Sequence, residues 1–233
     1  MTASPGSRTV LVTGVSRGLG RALAVRLAAL GHVVVGCART RSAVEELQDQ
    51  LGEPHGFSVV DVAVAADVES WSRRVLARHP PVDLLINNAG LINNAAPLWQ
   101  VPEEDFSRVV DVSLKGTFHV VRAFLPAMVE RGHGTVVSFI AGWGRSTASE
   151  AAPYHAAKSG LEGLTRALAE ELPPGLAAVA VNPGVVHTAL SESYLGKSAR
   201  SYPGPDHWAE RAAPFLLELG PKDNGKSLTV PGF

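Results

Sequence analysis

Short, continuous apolar runs alternate along the chain with stretches that carry apolar residues at helical spacing. The runs are rich in Val, Leu, Ile and Ala and do not alternate with polar residues, which indicates strands buried on both faces of a parallel sheet. The predicted strands are TVLVTG, HVVVGCA, FSVVDV, VDLLIN, TVVSFI, AAVAVN and KSLTV. The predicted helices are GLGRALAVRLAALG, SAVEELQDQL, DVESWSRRVLARH, EDFSRVVDVSLKGTFHVVRAFLPAMVERG, APYHAAKSGLEGLTRALAEEL and DHWAERAAPFLLEL.

This order predicts an α/β fold: one Rossmann-like, doubly wound parallel sheet with helices on both faces and a ligand crevice at the carboxyl ends of the strands. We expect a short N-terminal tail over residues 1–8 and a single domain over residues 9–233. The segment at about 189–206 contains Gly196, Pro203, Gly204 and Pro205. It is therefore predicted to be an irregular loop that covers a substrate site.

Composition narrows the class of protein. The 233 residues are 45% hydrophobic, which is enough for one substantial core, and the formal net charge of −1 disfavours nucleic-acid binding. The single cysteine, Cys37, cannot form an intrachain disulfide, and neither a signal peptide nor a membrane-spanning run is evident. These features favour a cytoplasmic protein that binds neither nucleic acid nor membrane.

A glycine-rich turn follows the first predicted strand: Thr13-Gly14-Val15-Ser16-Arg17-Gly18-Leu19-Gly20. Gly14 can take a tight turn, Gly18 can let the backbone approach a diphosphate, and Gly20 can let the helix pack close to the strand. The helix that begins here offers free N–H groups to an anion. Alternatively, the glycines serve an ordinary connection between strand and helix.

Five motifs stand in an order that resembles the short-chain dehydrogenase/reductase family over nearly the whole chain. They are Thr13 to Gly20, Asp61-Val62, Asn87-Asn88-Ala89-Gly90, Tyr154-x-x-x-Lys158, and Asn182-Pro183-Gly184 with Thr188. Within that family, NNAGLINNAAPLW, GWGRS, NPGVVHTAL and DNGKSLTV resemble plant NADPH-dependent pterin aldehyde reductases.

The end of the second strand predicts which nicotinamide cofactor binds. A carboxylate there would repel a 2′-phosphate, but the chain has Ala38 followed by Arg39, and Arg17 adds a second cation. NADP(H) is therefore predicted, although two solvated surface arginines would look the same in sequence. The resemblance implies a cofactor-binding set of Gly14, Ser16, Arg17, Gly18, Leu19, Arg39, Asp61, Val62, Asn88, Ala89, Gly90, Tyr154, Lys158, Pro183, Gly184, Val185, Val186 and Thr188.

Tyr154 and Lys158 share one face of a predicted helix because they are four residues apart. An ammonium beside the phenol, together with an oxidised nicotinamide, is expected to lower the phenol pKa from about 10. The resemblance makes Tyr154 the general acid and Lys158 its catalytic partner in carbonyl reduction.

Two positions depart from the family pattern. Ala141 stands where the family has a serine that helps to hold the substrate oxygen, and Ser113 stands where it has a helix asparagine, so Ser113 is our third catalytic candidate. Ser138 should point to the opposite face of its strand and so cannot replace the missing serine. A hydroxyl of Ser146, Thr147 or Ser149 could swing in, and loss of one such donor would cost about 10²–10³ in rate.

The leading hypothesis is an NADP(H)-dependent oxidoreductase that reduces a small carbonyl, with an aromatic or pterin-like aldehyde as one option. A catalytically impaired nucleotide-binding regulatory protein and a dehydratase or epimerase on the same fold are the alternatives. Ala141 and Trp143 are predicted to contact substrate, and Trp143 or Trp99 could stack on a flat ring or simply pack. No metal site is expected, and His155 and His187 are interpreted as structural or solvated. The partners expected are a small carbonyl or alcohol substrate and, by resemblance, further copies in a homodimer or homotetramer.

Overall fold

Seven strands form the sheet of the computed structural model, which describes residues 6–141 and 149–233. The strands are β1 (Thr9–Thr13), β2 (Val33–Ala38), β3 (Gly56–Val59), β4 (Leu84–Asn87), β5 (Gly134–Phe139), β6 (Leu176–Asn182) and β7 (Ser227–Thr229). Every pair is parallel, and the order across the sheet is β3-β2-β1-β4-β5-β6-β7. The predicted fold class is confirmed.

Helices connect the strands. They are α1 (Gly18–Ala29), α2 (Arg41–Leu51), α3 (Ala65–Arg78), α4 (Glu103–Val110), α5 (Gly116–Arg131), α6 (Ala152–Glu171), α7 (Ala189–Leu195) and α8 (Pro205–Leu217). A π-helical turn, Asp111–Lys115, joins α4 to α5 without a break. None of the helices in the described ranges is both long enough and apolar enough to cross a membrane.

The sheet is buried on both faces because successive residues of each strand belong to opposite cores. Val10 and Val12 of β1 pack in one core with Trp208 of α8, whereas Leu11 packs in the other with Phe124 of α5. This double burial explains why the strands read as continuous apolar runs.

The carboxyl ends of the central strands meet along one edge of the sheet. Thr13 of β1 pairs with Cys37 of β2, and Asn87 of β4 pairs with Ser138 of β5. The connections from β1 and β4 leave in opposite directions, so a crevice opens between them at this edge. A cavity of about 1030 Å³ occupies this position.

The segment at 189–206 differs from its prediction as an irregular loop. It consists of α7 followed by a 3₁₀ helix over Gly196–Ser201. A capping box starts α7, since the Thr188 hydroxyl accepts a hydrogen bond from the Ser191 N–H at 3.2 Å and the Thr188 N–H donates to the Ser191 hydroxyl at 2.8 Å. A reciprocal cap of this kind stabilises a helix that is too short to persist alone.

Candidate active site

The glycine loop after β1 forms one end of the cavity. Gly14 and Gly18 have φ values of +77° and +59°, in the left-handed region that favours glycine. A β-carbon on Gly20 would collide with the carbonyl oxygen of Gly14, so helix α1 can approach this loop only because Gly20 lacks a side chain. The tight turn predicted for Gly14 and the close packing predicted for Gly20 agree with this geometry, and the predicted contact of Gly18 with a diphosphate stays a prediction.

The first turn of α1 faces this cavity without a competing anion. Arg17 is its N-cap in an extended conformation, no side chain caps the turn, and no acidic residue lies within it. Arg17, Gly18 and Leu19 all line the cavity. Uncapped N–H groups and the helix dipole make this turn a site for an anion such as a diphosphate.

The Asn88 side chain connects the ends of β1 and β4. Its amide donates to the carbonyl oxygens of Thr13 at 2.7 Å and Gly14 at 3.2 Å. In return, the Thr13 hydroxyl accepts hydrogen bonds from the N–H groups of Asn88 and Ala89 at 3.1 and 3.0 Å. Asn88 thereby holds the glycine loop in place, and Asn88, Ala89 and Gly90 line the cavity as a continuous wall.

Near the ends of β2 and β3, the cavity is lined by Ala38, Arg39, Asp61 and Val62, together with Ser16 of the glycine loop. Arg39 lies 3.7 Å from the Asp61 carboxylate in an ion pair that is partly exposed on both sides. Such a pair contributes little stability because solvent screens it, so the guanidinium can turn to another anion at small cost. Arg17 is likewise exposed, which leaves two cations near this end.

Tyr154 and Lys158 lie on α6 and both line the cavity. The Lys158 ammonium is buried, donates to the Phe139 carbonyl at 2.6 Å, and lies 5.9 Å from the centre of the Tyr154 ring. Burial lowers the pKa of Lys158 to about 8 and raises the pKa of Tyr154 to about 12. The expected lowering of the phenol pKa is therefore not seen in the protein alone, because desolvation outweighs the neighbouring ammonium.

The turn after β6 closes the cavity beside these two residues. Pro183, Gly184, Val185, Val186 and Thr188 all line it. Two contacts hold the turn: the Gly184 N–H donates to the Asn182 side chain at 3.0 Å, and the Trp208 indole donates to the Pro183 carbonyl at 2.8 Å.

A family model, described as short chain dehydrogenase, matches residues 8–198, which is most of the chain. The chain belongs to the short-chain dehydrogenase family. An NADPH-dependent pterin aldehyde reductase of Arabidopsis thaliana is 46% identical over 96% of this chain and 93% of its own length. A 3-oxoacyl-[acyl-carrier-protein] reductase of Escherichia coli is 32% identical over 80% of this chain and 76% of its own length.

Solved structures agree with this assignment. Actinorhodin polyketide ketoreductase with NADPH superposes with a TM-score of 0.86 at 31% identity, covering 99% of this chain and 98% of its own. Gluconate 5-dehydrogenase from Burkholderia cenocepacia, in complex with NADP and tartrate, gives a TM-score of 0.84 at 27% identity, covering 97% and 94%. The predicted family and enzyme class, an oxidoreductase, are confirmed.

Ala141 lies on the cavity wall of this short-chain dehydrogenase and presents only a methyl group there. Ser138 is buried in β5 and does not line the cavity, in keeping with its predicted orientation. Ser149 is exposed and does not line the cavity either, while Ser146, Thr147 and Trp143 lie outside the described residues.

Ser113 does not reach the cavity. It is fully buried in the π-helical turn, where its hydroxyl accepts a hydrogen bond from the Leu91 N–H at 3.2 Å. A β-carbon on Gly90 would lie 3.5 Å from both the Ser113 hydroxyl and the Lys158 ammonium. Ser113 therefore lies behind the cavity wall at Gly90, close to Lys158. Its catalytic role stays a prediction.

Trp99, which was considered for stacking on a substrate, is 83% exposed and does not line the cavity. His187, interpreted as structural or solvated, has its Nε2 3.0 Å from the Glu192 carboxylate. Within the described ranges, no group of three or more His, Cys, Asp or Glu residues could hold a metal ion.

Several lining residues were not predicted. Thr40, Leu91 and Ile92 follow predicted motif residues directly, so their position after strand ends could have signalled them. Leu190 and Tyr194 belong to α7, and Phe233 follows β7. No local sequence pattern marks these three as site residues.

Proposed function

We propose that this protein is an NADPH-dependent reductase of small aldehydes, with flat aromatic or pterin-like aldehydes as its preferred substrates. One observation carries the proposal. A phenol and a buried ammonium, Tyr154 and Lys158, line the same cavity as an uncapped helix N-terminus and two arginines. This combination provides a proton donor beside a site for a phosphorylated dinucleotide.

The cavity fits NADPH at its phosphates. Gly18 takes a left-handed turn that favours glycine, and the first turn of α1 offers N–H groups to the diphosphate. Arg17 and Arg39 provide guanidinium groups for the 2′-phosphate. When bound, NADPH supplies the hydride for the carbonyl carbon. The remaining cofactor contacts are assigned to the cavity-lining residues of the predicted set.

Tyr154 supplies the proton that completes the reduction. Because its pKa is raised to about 12, the phenol is protonated at neutral pH and can donate to the carbonyl oxygen as that oxygen gains negative charge. Hydride at carbon and a proton at oxygen together convert the aldehyde to an alcohol. Lys158, held by the Phe139 carbonyl, provides positive charge beside the phenolate that remains. Ser113 acts as a positioning residue for this wall.

The aldehyde assignment has two supports. The relative that shares 46% identity is a pterin aldehyde reductase. In addition, Ala141 offers no hydroxyl to polarise the substrate, and an aldehyde needs less polarisation than a ketone. The segment at 189–206 is proposed to cover the substrate, since Leu190 and Tyr194 of α7 line the cavity. No observation on the site favours the regulatory alternative.

We further propose a homodimer or homotetramer in the cytoplasm. This proposal rests on the family resemblance, and we expect the interface to cover the partly exposed rings of Phe106 on α4 and Phe118 on α5. Light scattering coupled to gel filtration tests the subunit number, and cell fractionation tests the location. A monomer at micromolar concentration would contradict the first of these proposals.

The function is tested by following NADPH absorbance with a panel of aldehydes and ketones. Tyr154→Phe should lower kcat/KM by about 10²–10⁴-fold, because the general acid is lost, while NADPH binding measured by fluorescence stays within about twofold. Tyr202→Phe is the matched control, since Tyr202 does not line the cavity. Undiminished turnover in Tyr154→Phe, or tight NADPH binding without turnover on any carbonyl, would overturn the proposal.

A further inference from the structure

Tyr194 adds a second tyrosine side chain to the wall of the cavity. It is half-buried on α7 and lines the cavity, as does Leu190 one helical turn earlier on the same face. Trp99, one of the two tryptophans that could have stacked on a substrate, does not reach the cavity. Among the described residues, Tyr194 is the second phenol on the cavity wall beside Tyr154.

The ring of Tyr194 is held at both ends. Its backbone belongs to α7, whose start is capped by Thr188 and Ser191. Its hydroxyl donates to the Ser149 carbonyl at 3.2 Å, and Ser149 lies five positions before Tyr154 in the segment that enters α6. A ring held this way loses little further freedom when a substrate lies against it, which favours binding.

Glu192 holds the same helix from its outer side. Its carboxylate lies 3.0 Å from His187 Nε2 and 3.2 Å from the Arg200 guanidinium. These contacts connect α7 to the turn before it and to the 3₁₀ helix after it. The position of Tyr194 over the cavity is therefore set by several contacts and not by one loop conformation.

The surroundings of Tyr194 indicate the chemistry of the substrate. Leu190, one helical turn from Tyr194, is apolar, and so are Ala141 and Phe233, which line the same cavity. Of the lining residues that the structure describes, the charged ones are Arg17, Arg39 and Asp61 near the glycine loop, and Lys158 beside Tyr154. An uncharged substrate with a flat apolar face matches this wall better than an acidic one.

We propose that Tyr194 is a specificity-determining residue, whose ring provides the face on which the flat ring of an aromatic aldehyde lies. This inference rests on the proposed function and extends it to a preference for aromatic over saturated-ring aldehydes of the same size. The hydroxyl orients the ring, and the ring itself provides the selectivity.

The test compares kcat/KM for benzaldehyde and cyclohexanecarbaldehyde, which differ in flatness more than in size. Tyr194→Leu removes the ring and should lower the ratio of the two values by about three- to tenfold. Tyr194→Phe keeps the ring and should hold the ratio within about twofold. Tyr202→Leu, a tyrosine of the same region that does not line the cavity, should leave the ratio unchanged.

Binding provides a second readout that does not need turnover. Benzamide and cyclohexanecarboxamide are carbonyl analogues that do not react, and their affinities are measured by calorimetry with and without NADP⁺. Tyr194→Leu should reduce the preference for benzamide by the same factor. An unchanged preference in that variant, or an equal loss in Tyr194→Leu and Tyr194→Phe, would overturn the inference.

The two proposals fail in different ways. If the unaltered protein reduces neither aldehyde nor any other carbonyl, the proposed function is wrong, and the amide affinities decide the role of Tyr194 alone. If the protein reduces aldehydes but Tyr194→Leu keeps the ratio of the unaltered protein, the function stands and the inference about Tyr194 is wrong.

Discussion

The glycine loop and the substrate end of the cavity present different chemistry to a ligand. The loop offers backbone N–H groups, and it can take its shape only because Gly14, Gly18 and Gly20 have no side chains. The proposed substrate end instead offers side chains from separate elements, such as Tyr194 of α7 and Tyr154 of α6, which both line the cavity. A diphosphate is the same in every NADPH molecule, so backbone geometry suffices for it, whereas a particular aldehyde must be selected by side chains.

The largest change expected at the substrate end comes from Ala141→Ser. A hydroxyl placed beside the carbonyl oxygen should raise kcat by up to about 10²-fold, because one donor of this kind typically contributes that much. The measurement is steady-state aldehyde reduction. Ala43→Ser is the matched control, since Ala43 lines the opposite end of the same cavity. An unchanged rate in Ala141→Ser would mean that the missing donor does not limit the enzyme.

Lys158 is buried on the cavity wall, and its burial predicts a pH-dependent stability. Its pKa is about 8 in the folded protein and about 10.5 when unfolded, so the folded state binds fewer protons between these values. The free energy of unfolding should therefore rise by up to about 3 kcal/mol from pH 8 to pH 10.5, relative to Lys158→Met. Urea unfolding of both proteins at pH 7, 8.5 and 9.5 checks this. The raised pKa values of Tyr154 and Cys37 lower the free energy of unfolding as the pH rises. Both residues are present in the unaltered protein and in Lys158→Met, so their effects cancel in the comparison. Parallel pH curves would contradict the prediction.

Gly20→Ala tests whether helix α1 can pack against the glycine loop only because residue 20 has no side chain. The added methyl would collide with the Gly14 carbonyl, so we expect a loss of about 2 kcal/mol in the free energy of unfolding and weaker NADPH binding. Gly163→Ala is the control, because its β-carbon would meet open space on α6 and should be neutral or stabilising. Chemical denaturation and NADPH titration measure both variants. Equal free energies of unfolding for Gly20→Ala and Gly163→Ala would contradict the predicted collision at Gly20.

The smallest expected effect concerns cofactor choice. Arg39→Leu should weaken NADPH binding by about tenfold and leave NADH binding unchanged, because only the 2′-phosphate loses its partner. Arg41→Leu removes a nearby arginine that does not line the cavity and is the control. Fluorescence titration with both cofactors gives the ratio. If Arg39→Leu weakens NADH binding as much as NADPH binding, the Arg39 guanidinium does not bind the 2′-phosphate.

Sequence reasoning assigned Gly14, Arg17, Arg39 and Asn88 to the cofactor, and the structure places all four on the wall of one cavity. These residues act through local backbone geometry or through charge directly after a strand, and both are visible in a short stretch of sequence. The family assignment followed from the same motifs.

The segment at 189–206 was predicted less well. Its glycine and proline content suggested an irregular loop, but Thr188 and Ser191 cap a short helix there, and Glu192 holds it to His187 and Arg200. The pairing with Arg200 depends on how the chain turns back after α7, which no helical period encodes. Sequence reasoning consequently missed both the helix and Tyr194.

The pKa of Tyr154 illustrates the same limit in energetic terms. Its spacing from Lys158 suggested a lowered value, whereas burial raises it to about 12. Desolvation depends on all the elements that pack around a group, so the sign of the shift could not be obtained from two residues of one helix.

Three features follow from the amino-acid sequence alone. The order of apolar runs predicted the parallel sheet, the spacing of the glycines predicted a dinucleotide-binding turn, and the charge after the second strand predicted the class of cofactor. Each of these signals lies within a few neighbouring residues or one repeating unit of the chain. Tertiary structure alone decided that Ser113 is fully buried, that burial raises the pKa of Tyr154, and that Tyr194 and Phe233 line the cavity. Those outcomes depend on burial and on contacts between residues far apart in the chain, and such contacts exist only once the domain has folded.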